Sequence, residues 1–168
     1  MTRALIVVDV QNEYFPGGKL PLFEAAETEA RIINAIARAR AAGDRVILIR
    51  HEAEGGDGIF APGSSGTAIR PGILAAAGNA PVVTKHFADS FQDTDLETHL
   101  AGIDSLLICG MMTQNCVTHT ALSRRGEAYR RVTVLGDACT TVSEPVHRIA
   151  LAALSRRVEL ATVGAVLG

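Results

Sequence analysis

No stretch of the 168 residues approaches the roughly 20 consecutive apolar residues of a bilayer-spanning helix, so no membrane span is expected. Charge of one sign is not in excess: 16 Lys and Arg stand against 18 Asp and Glu, a formal net charge of −2. That balance provides no electrostatic footprint for a nucleic acid or another polyanion. Neither GxGxxG nor GxxxxGK[ST] occurs, which removes the dinucleotide-binding and P-loop readings. Cysteine is scarce, three residues without framework spacing, and an odd number of that kind argues for a reducing compartment. The first residues run into a strand pattern instead of a signal peptide, so a cytoplasmic protein is expected. Repeats, linkers and low-complexity tracts are absent, and a chain of this length suffices for one domain over 1–168, burying about two-thirds of its unfolded surface.

What is present is a regular alternation of short apolar runs and helical patterns. Residues 4–8 read as a buried strand ending at Asp9. Over 24–42, Ala30, Ile33, Ala37 and Ala41 recur at helical spacing, and Gly43 closes the helix. Strands are predicted at 46–49, 82–85, 106–109, 132–135 and 158–163. Between them come helices near 69–77, over 95–101 with Thr94 as N-cap, from Thr113 to Gly126, and from Pro145 to Leu154. Residues 53–67 form the longest irregular stretch, rich in Gly, of the kind used for lids and binding loops. Alternation of this sort predicts a three-layer α/β/α fold, a doubly wound and mainly parallel six-stranded sheet covered on both faces.

In such a sheet the carboxyl ends of the strands converge on one edge, where ligands bind. Asp9 ends the first predicted strand, Lys85 the third, and Cys116 follows the fourth. With Thr113 as N-cap, Cys116 falls in the first helical turn, where unpaired N–H groups and the macrodipole favour a thiolate, the reactive form of cysteine. Taken singly, each residue has a plainer reading: a small buried Cys, an Asp capping its loop, a Lys whose ammonium snorkels to solvent. Together, an acid, an ammonium and a thiol have a mechanism. His119, three residues after Cys116, offers an alternative Cys–His pair, while strand alternation turns His86 away from Lys85. Cys109 and Cys139 read as packing residues. A phosphoryl-transfer reading of Asp9 fails for want of an acidic pair or a DxD, since Asp9-Val-Gln11 supplies neither.

The order of these pieces resembles the isochorismatase-like cysteine hydrolase superfamily, which includes nicotinamidases and N-carbamoylsarcosine amidohydrolase. The matching segments are Asp9-Val-Gln-Asn12, Phe60-Ala-Pro-Gly-Ser64, Lys85 before Ser90-Phe91, Thr94-Asp-Leu96, Gly110-Met-Met-Thr113-Gln-Asn-Cys116-Val117, Thr120-Ala121 and Asp137-Ala138. The resemblance implies Cys116 as nucleophile, Asp9 as proton acceptor and donor, and Lys85 as the cation that stabilises the thiolate and orients Asp9. It also implies a cis Met111–Met112 peptide, with the N–H groups of Met112 and Cys116 as an oxyanion hole. The expected reaction is hydrolysis of a C–N bond, amide or carbamoyl, in a small molecule through a thioester. Gln11, Phe15, His51, Phe60 and Phe91 are the candidate substrate-binding residues, with Tyr14 and Leu22 as further pocket walls. A homodimer or larger homo-oligomer is implied.

Two departures narrow the expectation. Nicotinamidases carry Asp-x-His after the second strand and a further His for a metal; here Ile49-Arg-His51-Glu-Ala53 keeps one His and lacks the Asp. A lone His makes a poor divalent site, so neither metal nor other cofactor is expected. Isochorismatases proper lack the nucleophilic Cys, so Cys116 argues against vinyl-ether cleavage. The alternatives are a metal-assisted, nicotinamidase-like enzyme and a non-catalytic oligomeric binding or scaffold protein of the same fold.

Overall fold

A computed structural model describes residues 2–168. Its six strands are β1 (Arg3–Val8), β2 (Arg45–His51), β3 (Val82–Lys85), β4 (Ser105–Met111), β5 (Arg131–Thr140) and β6 (Glu159–Ala161). They form one sheet in the order β3-β2-β1-β4-β5-β6, and every neighbouring pair is parallel. The central strands β1 and β4 are buried almost throughout, as their uninterrupted apolar runs demand of strands covered on both faces. Sequence order reverses at the β1–β4 boundary, and connections leave these two strands in opposite directions. The gap left at their carboxyl ends is the crevice where doubly wound sheets place their chemistry.

The covering helices are α1 (Ala25–Ala41), α2 (Pro71–Ala77), α3 (Leu96–His99), α4 (Thr118–Ala121), α5 (Glu144–Leu154) and α6 (Val163–Leu167). Helix α1 buries Ala25, Thr28, Ile32, Ala35, Ile36 and Ala39; of the expected stripe only Ile33 packs against the core, half-buried, while Ala30, Ala37 and Ala41 are exposed. The reason is area: Ile32 and Ile36 each gain about 1.5–3 kcal/mol on burial, far more than a methyl group does, so they set the inward face. Strand β5 continues beyond the expected 132–135 through Asp137, whose carboxylate turns from the crevice and accepts the N–H of Val163 (2.9 Å) at the start of α6. The expected last strand accordingly shortens, and its tail becomes α6.

Gly110 fixes how β4 ends. The β4–β5 register shifts between Ile108 and Gly110, and Gly110 lies at φ 124°. A Cβ there would run into the backbone of Val8 on β1. Only glycine permits that approach, which brings the chain leading to Cys116 against the strand that carries Asp9.

Candidate active site

Asp9 leaves β1 at φ 51°, a left-handed conformation uncommon for a non-glycine residue and one that concentrates at functional sites. Lys85 is the last residue of β3, two strands away in the sheet. Cys116 sits beyond β4 in a π-helical turn, Thr113–Val117, which runs into α4. The expected regular helix capped by Thr113 does not form. Met112 occupies the N-cap position, no side chain caps the turn, and the Thr113 hydroxyl instead bonds His147 Nδ1 on α5 at 2.8 Å. The Met111–Met112 peptide is cis.

The three groups meet and are removed from water: Asp9 and Lys85 are 0% exposed and Cys116 3%. Lys85 Nζ lies 2.8 Å from Asp9 Oδ2 and donates to Cys116 Sγ at 3.3 Å, to the Phe87 carbonyl at 3.0 Å and to His51 Nδ1 at 3.1 Å. Asp9 Oδ2 is the nearest of the four, in a buried ion pair, and no backbone N–H reaches either of its oxygens. A buried carboxylate held by a cation and a thiol, without backbone donors, keeps bonding capacity that chemistry can use.

Protonation follows from charge balance. One carboxylate and one ammonium already cancel, so a thiolate would be a second, uncompensated buried anion. Burial first, then the Asp9 charge, push the Cys116 thiol well above its ordinary value of 9.0, and the Lys85 cation offsets this only in part. Burial acts to lower the Lys85 value, but Asp9 and Cys116 outweigh it and the net direction is up. These directions favour the thiol form of Cys116 beside a charged Lys85, not the ready-made thiolate that the helix-start argument predicts. Moving the proton from Sγ to Asp9 leaves the net charge unchanged, which makes it the accessible route to a nucleophile.

His51 borders the site. Burial first, then the Lys85 charge, hold it below 6.5, so the ring is neutral. Because Lys85 can only donate, His51 Nδ1 accepts and Nε2 carries the ring proton. Phe60, itself at φ 59°, packs edge-on against His51 and Tyr14, at 5.3 and 5.1 Å between centroids. Tyr14, which the sequence suggests only as a pocket wall, is close enough for Asp9 and Cys116 to add to the effect of burial in driving its phenol far above 10.0. No local pattern in the sequence marks Tyr14 as lying near Asp9 and Cys116.

Other candidates are held elsewhere. Gln11 is fully buried, with Nε2 donating to the His51 carbonyl (2.8 Å) and the Thr67 carbonyl (2.7 Å) and Oε1 accepting from His51 N (2.9 Å). Its polar atoms thus join three segments of the chain. Phe15 lies under the Arg70 guanidinium at 4.2 Å, and Phe91 packs near Tyr129 at 6.2 Å. His119 is exposed and bonded to the Asn115 carbonyl (2.8 Å), so it does not pair with Cys116; His86 bonds the Glu52 carbonyl (2.9 Å). Cys109 and Cys139 are buried free thiols, and burial pushes Cys139 up to about 12. With its Nδ1 engaged by Lys85, His51 is a poor ligand, and among the described residues no group of three or more His, Cys, Asp or Glu gathers that fits a metal ion.

A doubly wound α/β/α fold with this strand order, carrying a thiol, an acid and an amine at the switch point, is the architecture of the isochorismatase-like structures. Residues 3–165 match the isochorismatase domain, and the chain belongs to the isochorismatase family. It is 32% identical to the isochorismatase family protein YddQ of Bacillus subtilis, over 92% of each chain. It is 34% identical to a streptothricin hydrolase of Streptomyces noursei, an alignment that takes in 85% of this chain and 51% of that protein. The crystal structure of a cysteine hydrolase from Pseudomonas syringae superposes with a TM-score of 0.87 at 26% identity, covering 98% of this chain and 90% of the other. Among the described residues no helix is long and apolar enough to cross a membrane.

Proposed function

We propose that the chain is a cysteine amidohydrolase that cleaves the C–N bond of a small amide or carbamoyl compound through a thioester on Cys116. The observation that carries this reading is the buried meeting of Cys116, Lys85 and an Asp9 whose oxygens have no other donor. In the first half-reaction the Cys116 thiol proton passes to Asp9 while Sγ bonds the substrate carbonyl carbon. The N–H groups of Met112 and Cys116 hold the resulting oxyanion. The C–N bond then breaks, Asp9 returns the proton to the departing nitrogen, and the amine leaves. In the second, Asp9 takes a proton from water as its oxygen attacks the thioester; the C–S bond breaks, the acid departs and the thiol is restored. Lys85 stays charged throughout, compensating whichever of Asp9 or Cys116 is the anion. His51, Phe60 and Tyr14 line the approach, with His51 Nε2–H as a donor to the substrate; Gln11 positions the loops behind them.

A streptothricin hydrolase among the relatives and a cysteine hydrolase among the similar structures support hydrolysis at a cysteine and leave the bond and the substrate to be found. The test is a panel of small primary amides, carbamoyl and ureido acids, followed by ammonia release, with acid quench and intact mass in parallel. Turnover by wild type, none by Cys116→Ala, and an adduct equal to the acyl part of the substrate are the expected results. Stoichiometric binding of a panel member without turnover or adduct would replace this reading with that of a binding protein.

A further inference from the structure

We propose that His147 is a positioning residue for the thiol. From α5, through its bond to Thr113, it fixes the turn that carries Cys116 without touching substrate or reacting atoms. The inference rests on the reading of Cys116 as nucleophile given above. The turn Thr113–Val117 has little of its own to hold it: its geometry is π-helical, a rare form, and no side chain caps it. Within it the Met112 carbonyl accepts the N–H groups of both Asn115 (3.1 Å) and Val117 (3.3 Å). Its register is imposed from outside. The wholly buried Thr113 hydroxyl has His147 Nδ1 at 2.8 Å, and Gln114 Oε1 accepts from the Thr141 hydroxyl, just past β5, at 2.5 Å.

A threonine that opens a helix ordinarily turns its oxygen back to cap its own first turn. Here the oxygen is turned outward onto another element, while the Thr113 carbonyl accepts from Thr118 Oγ1 at 2.6 Å where α4 begins. Thr113 is thus gripped by its side chain and by its backbone, one residue after Met112 and three before Cys116. The base of that grip is firm. Ala150 and Leu154 of α5 are buried and Leu151 packs over Gly136 of β5, so the helix that carries His147 is seated on the sheet. His147 is half-buried, and burial above all holds it below 6.5, so the ring is neutral at pH 7. A neutral imidazole and a hydroxyl can each donate or accept, so one bond forms whichever ring tautomer is present. What it protects is distance. Cys116 Sγ takes the Lys85 proton at 3.3 Å, and misplacing a reacting group by about 1 Å costs on the order of 100-fold in rate.

The test breaks the bond from either end and then restores it. His147→Leu and Thr113→Val should each lower kcat about 10–100-fold and leave KM within about twofold, because the turn serves the transition state more than substrate binding. His147→Asn should recover most of the loss, since its amide places a donor and an acceptor close to where Nδ1 stands. The double variant of His147→Leu with Thr113→Val should be no slower than the worse single one, the mark of a shared interaction. Ile32→Val, which thins the core under α1, should lower the urea midpoint without changing kcat. Hydrogen exchange read by mass spectrometry is a measure apart from turnover. Residues 110–121 should exchange faster in His147→Leu and Thr113→Val, at unchanged circular dichroism, and near the wild-type rate in His147→Asn. Absence of turnover in the wild type would count against the amidohydrolase reading alone, and exchange would still decide whether His147 holds the turn. Wild-type kcat in His147→Leu overturns the proposal, as does unchanged exchange. So does a loss in His147→Asn as large as in His147→Leu, or losses that simply multiply in the double variant.

Discussion

Two buried carboxylates stand four residues apart on the chain that leaves β1, and they are treated in opposite ways. Glu13, 3% exposed, accepts the backbone N–H of Lys19 at 2.9 Å and of Phe60 at 3.1 Å. It has become the anchor of the 53–67 stretch, holding Phe60 where its ring meets His51 and Tyr14. Asp9, 0% exposed, receives no backbone N–H and has beside it only the Lys85 ammonium, at 2.8 Å, and the Cys116 thiol. Equal burial with unequal satisfaction separates a carboxylate that holds structure from one kept available for a proton. The lesson is that burial alone says little about a polar group's role; its unfilled bonding capacity says more.

The largest expected effect tests the available acid. Asp9→Asn should cut kcat/KM by about 10²–10⁴-fold, because an amide cannot take the thiol proton. The same change should lower the Cys116 pKa, since Lys85 then lacks a counter-charge and a thiolate would supply it. Iodoacetamide should therefore label Cys116 faster in Asp9→Asn than in wild type even as turnover is lost. Unchanged or slower labelling would show that the charge-balance account is wrong.

Next in size is the ammonium. Lys85→Met leaves Asp9 as an uncompensated buried charge, for which about 3–5 kcal/mol of destabilisation is typical, relieved in part as Asp9 takes up a proton. Urea unfolding at neutral pH should show that loss, and it should shrink in acid. Glu13→Gln, by contrast, should cost about 1–3 kcal/mol, the usual consequence of denying a buried N–H its acceptor. It should make the 53–67 stretch easier to nick with protease while leaving the activity per folded molecule close to wild type. If Glu13→Gln instead abolished turnover without loosening that stretch, the division between the two acids would fail.

Much of this was legible in the sequence. Asp9, Lys85 and Cys116 each end or follow an apolar run, and alternation of strands and helices brings such ends to one edge by topology alone. The protonation state was not legible, because the helix-start rule assumes a regular, solvated first turn, whereas Thr113–Val117 is a buried π-helical turn beside an ion pair. Nor were the roles of Gln11 and Glu13. Their partners, His51, Thr67 and Phe60, lie 40, 56 and 47 residues away, beyond what any local pattern encodes. The α1 stripe was misread for a third reason: an alanine-rich helix presents two plausible faces, and the isoleucines decide between them.

The smallest expected effects concern pH and metal. His51 and His147 are both held below 6.5, first of all by burial, so the native chain keeps them neutral while the unfolded chain binds protons. The unfolded state then holds more protons below pH 6.5, and stability should fall as the pH drops through that value and below it. Urea midpoints between pH 7 and 5 should decline, and His147→Asn should flatten part of that decline. Exhaustive chelation should leave activity unchanged; loss of turnover restored by one divalent metal would revive the nicotinamidase-like alternative.

Gly110 has a consequence for anyone who would remake this protein. Loops around the crevice can be varied in search of new substrates, and the strands beneath will tolerate exchanges of like-sized apolar side chains. Position 110 has no such freedom, since even a methyl group would strike the backbone of Val8. A randomised codon there, selected for activity, should return one amino acid. The distance between the acid and the thiol is thus set by an atom the chain does without, and no repacking elsewhere substitutes for its absence.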